Sequence, residues 1–359
     1  MDVPESTVAW LLEPGDPSVR YRTQTELLGL DPNAPEVAAS RARRMDDPVT
    51  RGIVAQGEAF WNDPEHAYAK YTGLYWQTIF LGHFLADGTA PGLREGLERV
   101  LADRGWVSRH GGQCLTANLL AALRRMGYGD HPRVLAETET LAERVVRDGG
   151  VACEGMGYSL LERCHMSVPK LLACFALVPA GERSAAVQEA TAMLVRHLLE
   201  REVYLYVPSH RRAWLEVLAT APKRAELSAG TTVKAWIADA RRRFLEAEGL
   251  GALDEKPGWR RFGFPRSYAS DALEATWSLA MAGVPTSDAL ERPLALIEAK
   301  ADDRARWTME DSLNGKMRVD VERVGEPSKW LTLFALSTLA HFRGLEVPGR
   351  RAAPAPRAA

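Results

Sequence analysis

Apolar residues recur along the chain in short blocks, each opening on polar or aromatic positions and closing at Gly or Pro. The clearest are KYTGLYWQTIFLGHFLADG from Lys70, QCLTANLLAALRRMGYG from Gln113, ERCHMSVPKLLACFALVP from Glu162, RSYASDALEATWSLAMAGV from Arg266 and PSKWLTLFALSTLAHFRG from Pro327. Their apolar positions are not confined to one stripe. In the second block Leu119, Leu120, Leu123 and Met126 share a face, and Leu115, Ala121 and Ala122 cover much of the remainder. A helix apolar nearly all round is a buried helix. Between these lie one-sided, charged blocks: GLREGLERVLADRG from Gly92, PRVLAETETLAERVVRDGG from Pro132, AAVQEATAMLVRHLLE from Ala185 and DALERPLALIEAK from Asp288. In the Pro132 block Val134, Leu135, Leu141 and Val145 face inward, and Pro132 sits where a first helical turn tolerates proline.

The pattern predicts an all-α chain whose unit is outer helix, loop, inner helix, repeated at roughly 40 to 50 residues. One unit cannot cover its own inner helix, so units must stack, as an open superhelix or as a closed ring. The inner blocks open on Tyr71, Cys114, Cys164, His165, Tyr268, Asp271 and Lys329. A ring gathers such groups at one end of a central cavity, which favours an α/α toroid over the open array. The plainer alternative is that these are polar helix starts. MRVDVERV from Met317 and VYLYV from Val203 alternate apolar and polar positions, which predicts short strands or extended loops. The toroid is expected to occupy 1–346 as one domain, with a disordered Pro/Ala-rich tail after it.

Composition changes this picture little. The 359 residues are 46% hydrophobic and 26% charged, enough for a sizeable core. A formal net charge of -2 gives no reason to expect nucleic acid or an anionic membrane surface as partner. No apolar run reaches the ~20 residues of a membrane span. The N-terminus lacks a basic leader region, so a cytoplasmic location is expected. The four cysteines, Cys114, Cys153, Cys164 and Cys174, then read as buried thiols or metal ligands rather than disulfides.

Several segments resemble bacterial squalene-cyclase-like and prenyltransferase-like proteins of the terpenoid cyclase and protein prenyltransferase α/α-toroid superfamily. They are WLLEPGDPSVRYRTQTELLGL from Trp10, YAKYTGLYWQTIFL from Tyr68, CLTANLLAALRRMGYGDHPRV from Cys114, the Asp148 to Leu172 stretch, WRRFGFPRSYASDALEA from Trp259 and LNGKMRVDVERVGEPSKWLTLFAL from Leu313. The resemblance implies a toroid with a central pocket for an isoprenoid or thiol-bearing substrate. It also implies an α-subunit-like protein partner, or a homo-oligomer, as one option. The chain departs from the class II cyclases, which protonate an alkene with a DxDD motif. The nearest runs, Asp302-Asp303 and Asp320-Val321-Glu322, do not fit, and the glutamine–tryptophan repeats are absent. A second departure is an insertion over 208–257 carrying RRAWLEVLATA and VKAWIADARRRFLEAEG, a lid, a partner surface or a surface decoration.

Three groups of residues are candidates for chemistry. Cys114 and Cys164-His165 open consecutive inner helices, whose axes lie roughly 8 to 10 Å apart, so their side chains can reach one ion. Cys153, in the preceding loop, can fold over the same point. Zinc takes thiolate and imidazole ligands. By resemblance to farnesyltransferases and lanthionine cyclases, Cys114, Cys153 and His165 would hold zinc, with Cys164 in reserve and a substrate thiol activated. Buried thiols beside a hydrogen-bonded histidine are the alternative.

The second group is aromatic and acidic. Tyr71, Tyr75, Trp76, Asn118, Lys329 and Trp330 would line the pocket, with Tyr268 and Asp271 as catalytic candidates. Such walls suit an apolar ligand, and cation–π contact would stabilise a carbocation. Core packing among ten tryptophans is the alternative, and Asp271 equally suits a helix N-terminus. The third group is Glu310, Asn314, Lys316, Arg318 and Lys329, an anion clamp or surface ion pairs. His66, His83, His110, His131, His210 and His341 stand alone and carry no motif. An enzyme and a non-catalytic binding or scaffold protein both remain open at this point.

Overall fold

The computed structural model describes residues 1–63, 65–108, 112–151, 164–206, 211–228, 230–248 and 253–351. In chain order the helices are α1 (Glu5–Leu11), α2 (Pro17–Arg22), α3 (Pro35–Ala42), α4 (Pro48–Val54), α5 (Gly57–Trp61), α6 (Leu74–His83), α7 (Arg94–Ala102), α8 (Gly105–Ser108) and α9 (Gln113–Leu123). They continue with α10 (Pro132–Asp148), α11 (Val168–Ala176), α12 (Ala185–Leu199), α13 (Arg211–Ala219), α14 (Val233–Glu248), α15 (Ala272–Met281), α16 (Glu291–Glu298) and α17 (Lys329–Phe342). The strands are two residues each: β1 (Leu205–Tyr206) pairs with β2 (Asp254–Glu255), and β3 (Trp307–Thr308) with β4 (Pro327–Ser328), both antiparallel. The fold is therefore all-α in character, and no described helix is long and apolar enough to cross a membrane.

Two kinds of helix follow from the two kinds of block. In α6 every residue from Leu74 to Gly82 is buried, and in α17 only Ser337 and His341 are not. In α10 the buried set is Val134, Thr138, Leu141, Ala142 and Val145, a single stripe at helical spacing. Leu135 is the exception to the expected inward set. It stands about 100° round the helix from Val134 and is 46% exposed.

The buried helices pack in order, α6 on α9, α9 on α11, α11 on α15 and α15 on α17. From α17 the contacts return to the N-terminus, to α1, α2 and the π-helical turn Thr23–Leu27 that extends α2. That sixth inner element lies outside the five apolar blocks. The one-sided helices α3, α7, α10, α12 and α16 lie against α2, α6, α9, α11 and α15. One continuous apolar core joins all of these except α3.

Both alternating stretches settle differently from a sheet. Residues 317–324 form a loop of bends between β3 and β4 with no strand in it. The Val203 stretch supplies only β1, just before the insertion, whose partner β2 lies in the insertion's last residues. The insertion thus enters and leaves through one two-residue strand pair. Within it α13 packs on α14, and Ala240 and Phe244 form a small apolar cluster of their own with Val217, Leu218, Trp236 and Ile237. At the other end, Arg351 N–H donates to the Leu28 carbonyl at 2.9 Å and Val347 is buried, so the chain past Gly349 lies along the fold. Residues 352–359 of the expected tail lie outside the described residues.

The inner helices approach closely where side chains are small. A Cβ on Gly82 of α6 would stand 2.4 Å from both the Cα and the Cβ of Ala122 on α9. Gly82→Val should therefore force these helices apart and cost about 1–3 kcal/mol of unfolding free energy. A urea denaturation midpoint equal to that of the parent would contradict this contact.

Candidate functional site

An irregular segment from Arg261 to Asp271, preceded by the 3-10 turn Pro257–Arg260, runs among the inner helices. Phe262 and Phe264 are about 1% exposed and Trp259 is 2% exposed. Buried irregular backbone must find hydrogen-bond partners outside itself. Three consecutive inner helices supply them. His83 of α6 meets the Arg266 carbonyl at 3.2 Å, Asn118 of α9 donates to the Ser267 carbonyl at 3.2 Å, and Lys170 of α11 donates to the Ala269 carbonyl at 3.1 Å. Lys170 is also ion-paired with Glu274. Burial lowers the Lys170 ammonium from its ordinary pKa, opposed by the Glu274 carboxylate.

Asp271 ends the segment as the N-cap of α15. Its carboxylate accepts from Glu274 N–H at 2.7 Å and from Gly263 N–H at 3.1 Å, and it is ion-paired with Arg266. Burial pushes the Arg266 guanidinium down to about 10. Tyr268 meets the Tyr68 hydroxyl at 2.7 Å, and burial followed by that hydrogen bond raises its pKa above the usual phenol range. Both catalytic candidates thus sit in the junction between this segment and α15.

The expected pocket residues surround the same segment. Tyr71 accepts from the Ser267 hydroxyl at 3.3 Å and sits edge-on to Trp76, 5.1 Å between ring centres. Trp76 in turn meets the Tyr268 ring at 4.8 Å. Trp330 stacks on Phe264 at 4.5 Å. Two of the set are turned elsewhere. Tyr75 donates to Asp103 at 2.5 Å, and Lys329 bridges Glu13 at 2.6 Å and Asp16 at 2.5 Å. The structure brings Tyr71, Trp76, Asn118, Tyr268, Asp271 and Trp330 together around buried protein backbone.

The cysteine and histidine candidates have separate partners. Cys164 Sγ lies 3.1 Å from the Ser167 hydroxyl, and Cys114 opens α9 beside Gly112. His165 stacks on Trp259 with ring centres 4.3 Å apart, and its Nδ1 meets His197 Nε2 at 3.0 Å. Cys153 lies outside the described residues. Among the described residues no three His, Cys, Asp or Glu side chains converge as metal ligands would; the expected zinc set includes Cys153, which those residues do not contain. Cys174 is buried in α11, where burial pushes its thiol up to about 12.

The third group holds loops together. Glu310 accepts from Phe262 N–H at 2.8 Å and from Lys300 at 2.5 Å. Asn314 donates to the Glu322 carbonyl at 2.8 Å, and Arg318 donates to the Thr72 carbonyl at 2.7 Å and to Gln56 at 3.1 Å. Lys316 is exposed.

A cavity of about 510 Å³ lies elsewhere, at the C-terminal ends of the inner helices. α2 and its π-helical turn contribute Tyr21, Arg22, Thr25 and Glu26. Leu85 follows α6, Arg125 follows α9, Leu177 follows α11, α15 gives Trp277, Ala280 and Met281, and α17 gives Ser337 and His341. Arg44 and Arg350 complete the lining. Arg22, 1% exposed, lies beneath, while Glu26, His341 and Arg350 are exposed at the rim. A second void of about 30 Å³ between the central segment, α15 and α17 shares Trp277 with this cavity and touches His83 and Glu274. Burial, then the Arg125, Lys170 and Arg22 charges, hold His83 well below its ordinary pKa.

None of the cavity cations was a sequence candidate. The available signal was an Arg closing an otherwise apolar helix, as in LLAALRRMG. Such a cation ordinarily complements the helix dipole. The described π-helical turns, Thr23–Leu27 and Arg124–Tyr128, both border the cavity, and π-bulges recur at functional sites.

Two measurements check this arrangement. Asp271→Ala removes a cap and leaves Arg266 buried without its carboxylate, so it should cost about 3 kcal/mol or more. Asp271→Asn keeps the cap acceptor and should cost less; equal midpoints for both variants in chemical denaturation would reject the assigned role. Burial, then the His197 and Arg201 charges, keep His165 well below its ordinary 6.5, and burial followed by Arg201 brings His197 down to about 3. Both imidazoles are neutral in the fold and take up protons when unfolded. Their contribution is complete above the unfolded pKa of 6.5 and is lost as pH falls below it, on the order of 1 kcal/mol per pH unit per histidine. Tm should decline from about pH 7 to about pH 5, and His197→Gln should flatten that decline. An unchanged slope in the variant would contradict the titration.

Comparison with known proteins found no family model that matches the chain, and no curated protein or solved structure that matches it.

Proposed function

We propose that this chain is an α/α toroid that binds a small organic molecule in the cavity at the C-terminal ends of its inner helices. The observation that carries the reading is the lining itself. Residues at or just after the ends of α2, α6, α9, α11, α15 and α17 converge on one space. An open superhelix gives its first and last units no common cavity, whereas here α17 packs on α2. A volume of about 510 Å³ lies within the ~300–1,000 Å³ of small-molecule sites.

Trp277, Leu85, Leu177 and Met281 offer apolar walls, which supports the small apolar ligand implied by the resemblance to terpenoid cyclases and prenyltransferases. Binding is the part of that inheritance that the cavity supports. A thiol-bearing ligand remains a member of the same class.

The test uses N-phenyl-1-naphthylamine, a neutral fluorophore that brightens in apolar sites. The parent protein should bind it saturably. Ala280→Trp places an indole in the cavity and should weaken binding by about tenfold or more, equivalent to ~1.4 kcal/mol, with Tm little changed. Undiminished binding in that variant would place the site elsewhere and overturn the reading.

A further inference from the structure

The cavity is one-sided in charge. Its lining carries Arg22, Arg44, Arg125 and Arg350 against the single carboxylate of Glu26. Glu26 is already engaged: its two oxygens accept from Arg22 Nε and Nη2, each at 2.7 Å. Arg22 Nη1 is buried and has no hydrogen-bond partner. The Arg22 guanidinium lies in an aromatic surround, 4.9 Å from the Phe334 ring centre, 5.3 Å from Trp277 and 5.7 Å from Trp330. Arg44 donates to the Leu85 carbonyl at 2.7 Å and lies over Tyr21 at 4.9 Å.

Arg125 is the cation left over. Its contact is with the Trp277 ring, 5.9 Å to the centre, and among the described residues it makes no ion pair. Burial, then the nearby Arg22 charge, push its guanidinium down to about 10, so it still carries its proton at neutral pH. A half-buried guanidinium beside a second one is costly unless an anion joins them. A planar fork of donors is suited to a carboxylate or phosphate, which it binds bidentately.

We infer that the ligand of this cavity is an organic anion, its carboxylate or phosphate held by Arg125 and its flat apolar body against Trp277 and Met281. The inference rests on the cavity being a binding site, as proposed above. Arg350 at the rim and the partly buried Arg44 draw the anion in. Arg22, fixed by Glu26, supplies positive potential from below. A neutral apolar molecule would leave the surplus charge uncompensated.

The experiment compares 8-anilinonaphthalene-1-sulfonate with N-phenyl-1-naphthylamine, the same body without the anion. The sulfonate should bind the parent protein at least about tenfold tighter, a ratio worth ~1.4 kcal/mol. That advantage should be lost in Arg125→Gln and partly kept in Arg125→Lys, with the neutral probe unaffected. On the parent protein itself, raising salt should weaken the sulfonate and leave the neutral probe unchanged. Benzoate and phenyl phosphate then compete for the site. A stronger effect of phenyl phosphate assigns a phosphate monoester, and the reverse assigns a carboxylate. Equal binding of the two fluorophores, no salt effect, or competition by neither anion overturns the anion inference and leaves the cavity reading standing. Inorganic phosphate competing as well as phenyl phosphate overturns the organic body. Binding of neither fluorophore overturns the cavity reading as well.

Discussion

The structure depends on how one stretch of irregular backbone is satisfied away from water. Residues 262–271 have no ladder of their own, yet they run among helices that are apolar nearly all round. An unpaired buried carbonyl costs as much as a lost hydrogen bond. His83, Asn118 and Lys170, one from each of three consecutive inner helices, remove that cost at three carbonyls. Asp271 does the same for the segment's Gly263 N–H and at once starts α15. Each of these three helices therefore gives up part of its apolar surface to a polar group, which fixes the helix in rotation. The buried Lys170–Glu274 and Arg266–Asp271 pairs are weak evidence for stability but strong constraints on register.

The cavity follows from the same geometry. The central segment fills the space around His83, Trp76 and Trp330, and the open volume is displaced toward the helix ends. Helix C-termini attract cations, which accounts for Arg residues being there at all. It does not account for their number against one carboxylate, nor for a guanidinium with aromatic contact and no ion pair among the described residues. That imbalance gives the cavity a chemical preference.

Much of the architecture was legible because burial leaves a periodic trace. All-round apolar blocks became inner helices, and striped blocks became outer ones. α2 was not legible: PSVRYRTQTEL carries two arginines and a glutamate and reads as a surface helix. Arg22 becomes a buried residue only through Glu26 one turn on and through Trp277, Trp330 and Phe334, which lie far away in the chain. Of the chosen aromatic residues, Tyr71, Trp76 and Trp330 did gather, but around protein backbone. Local sequence announces that a residue is buried; it does not say whether the neighbour is a ligand or another stretch of chain. The His165–His197 contact was equally hidden, since it joins an inner helix start to an outer helix.

The seam between the chain's two ends has a bearing on synthesis. Lys329 at the start of α17 reaches Glu13 across 316 residues, and Thr7 meets the Arg304 carbonyl across 297. At roughly 5–20 residues per second, the first helices leave the ribosome tens of seconds before α17 exists to cover them. Throughout that interval α1 and α2, which bury Val8, Leu11 and Val19 in the finished fold, lack the helix that closes on them. The nascent protein thus carries a waiting apolar edge, and its solubility in that period depends on what else occupies the edge rather than on the strength of the finished core.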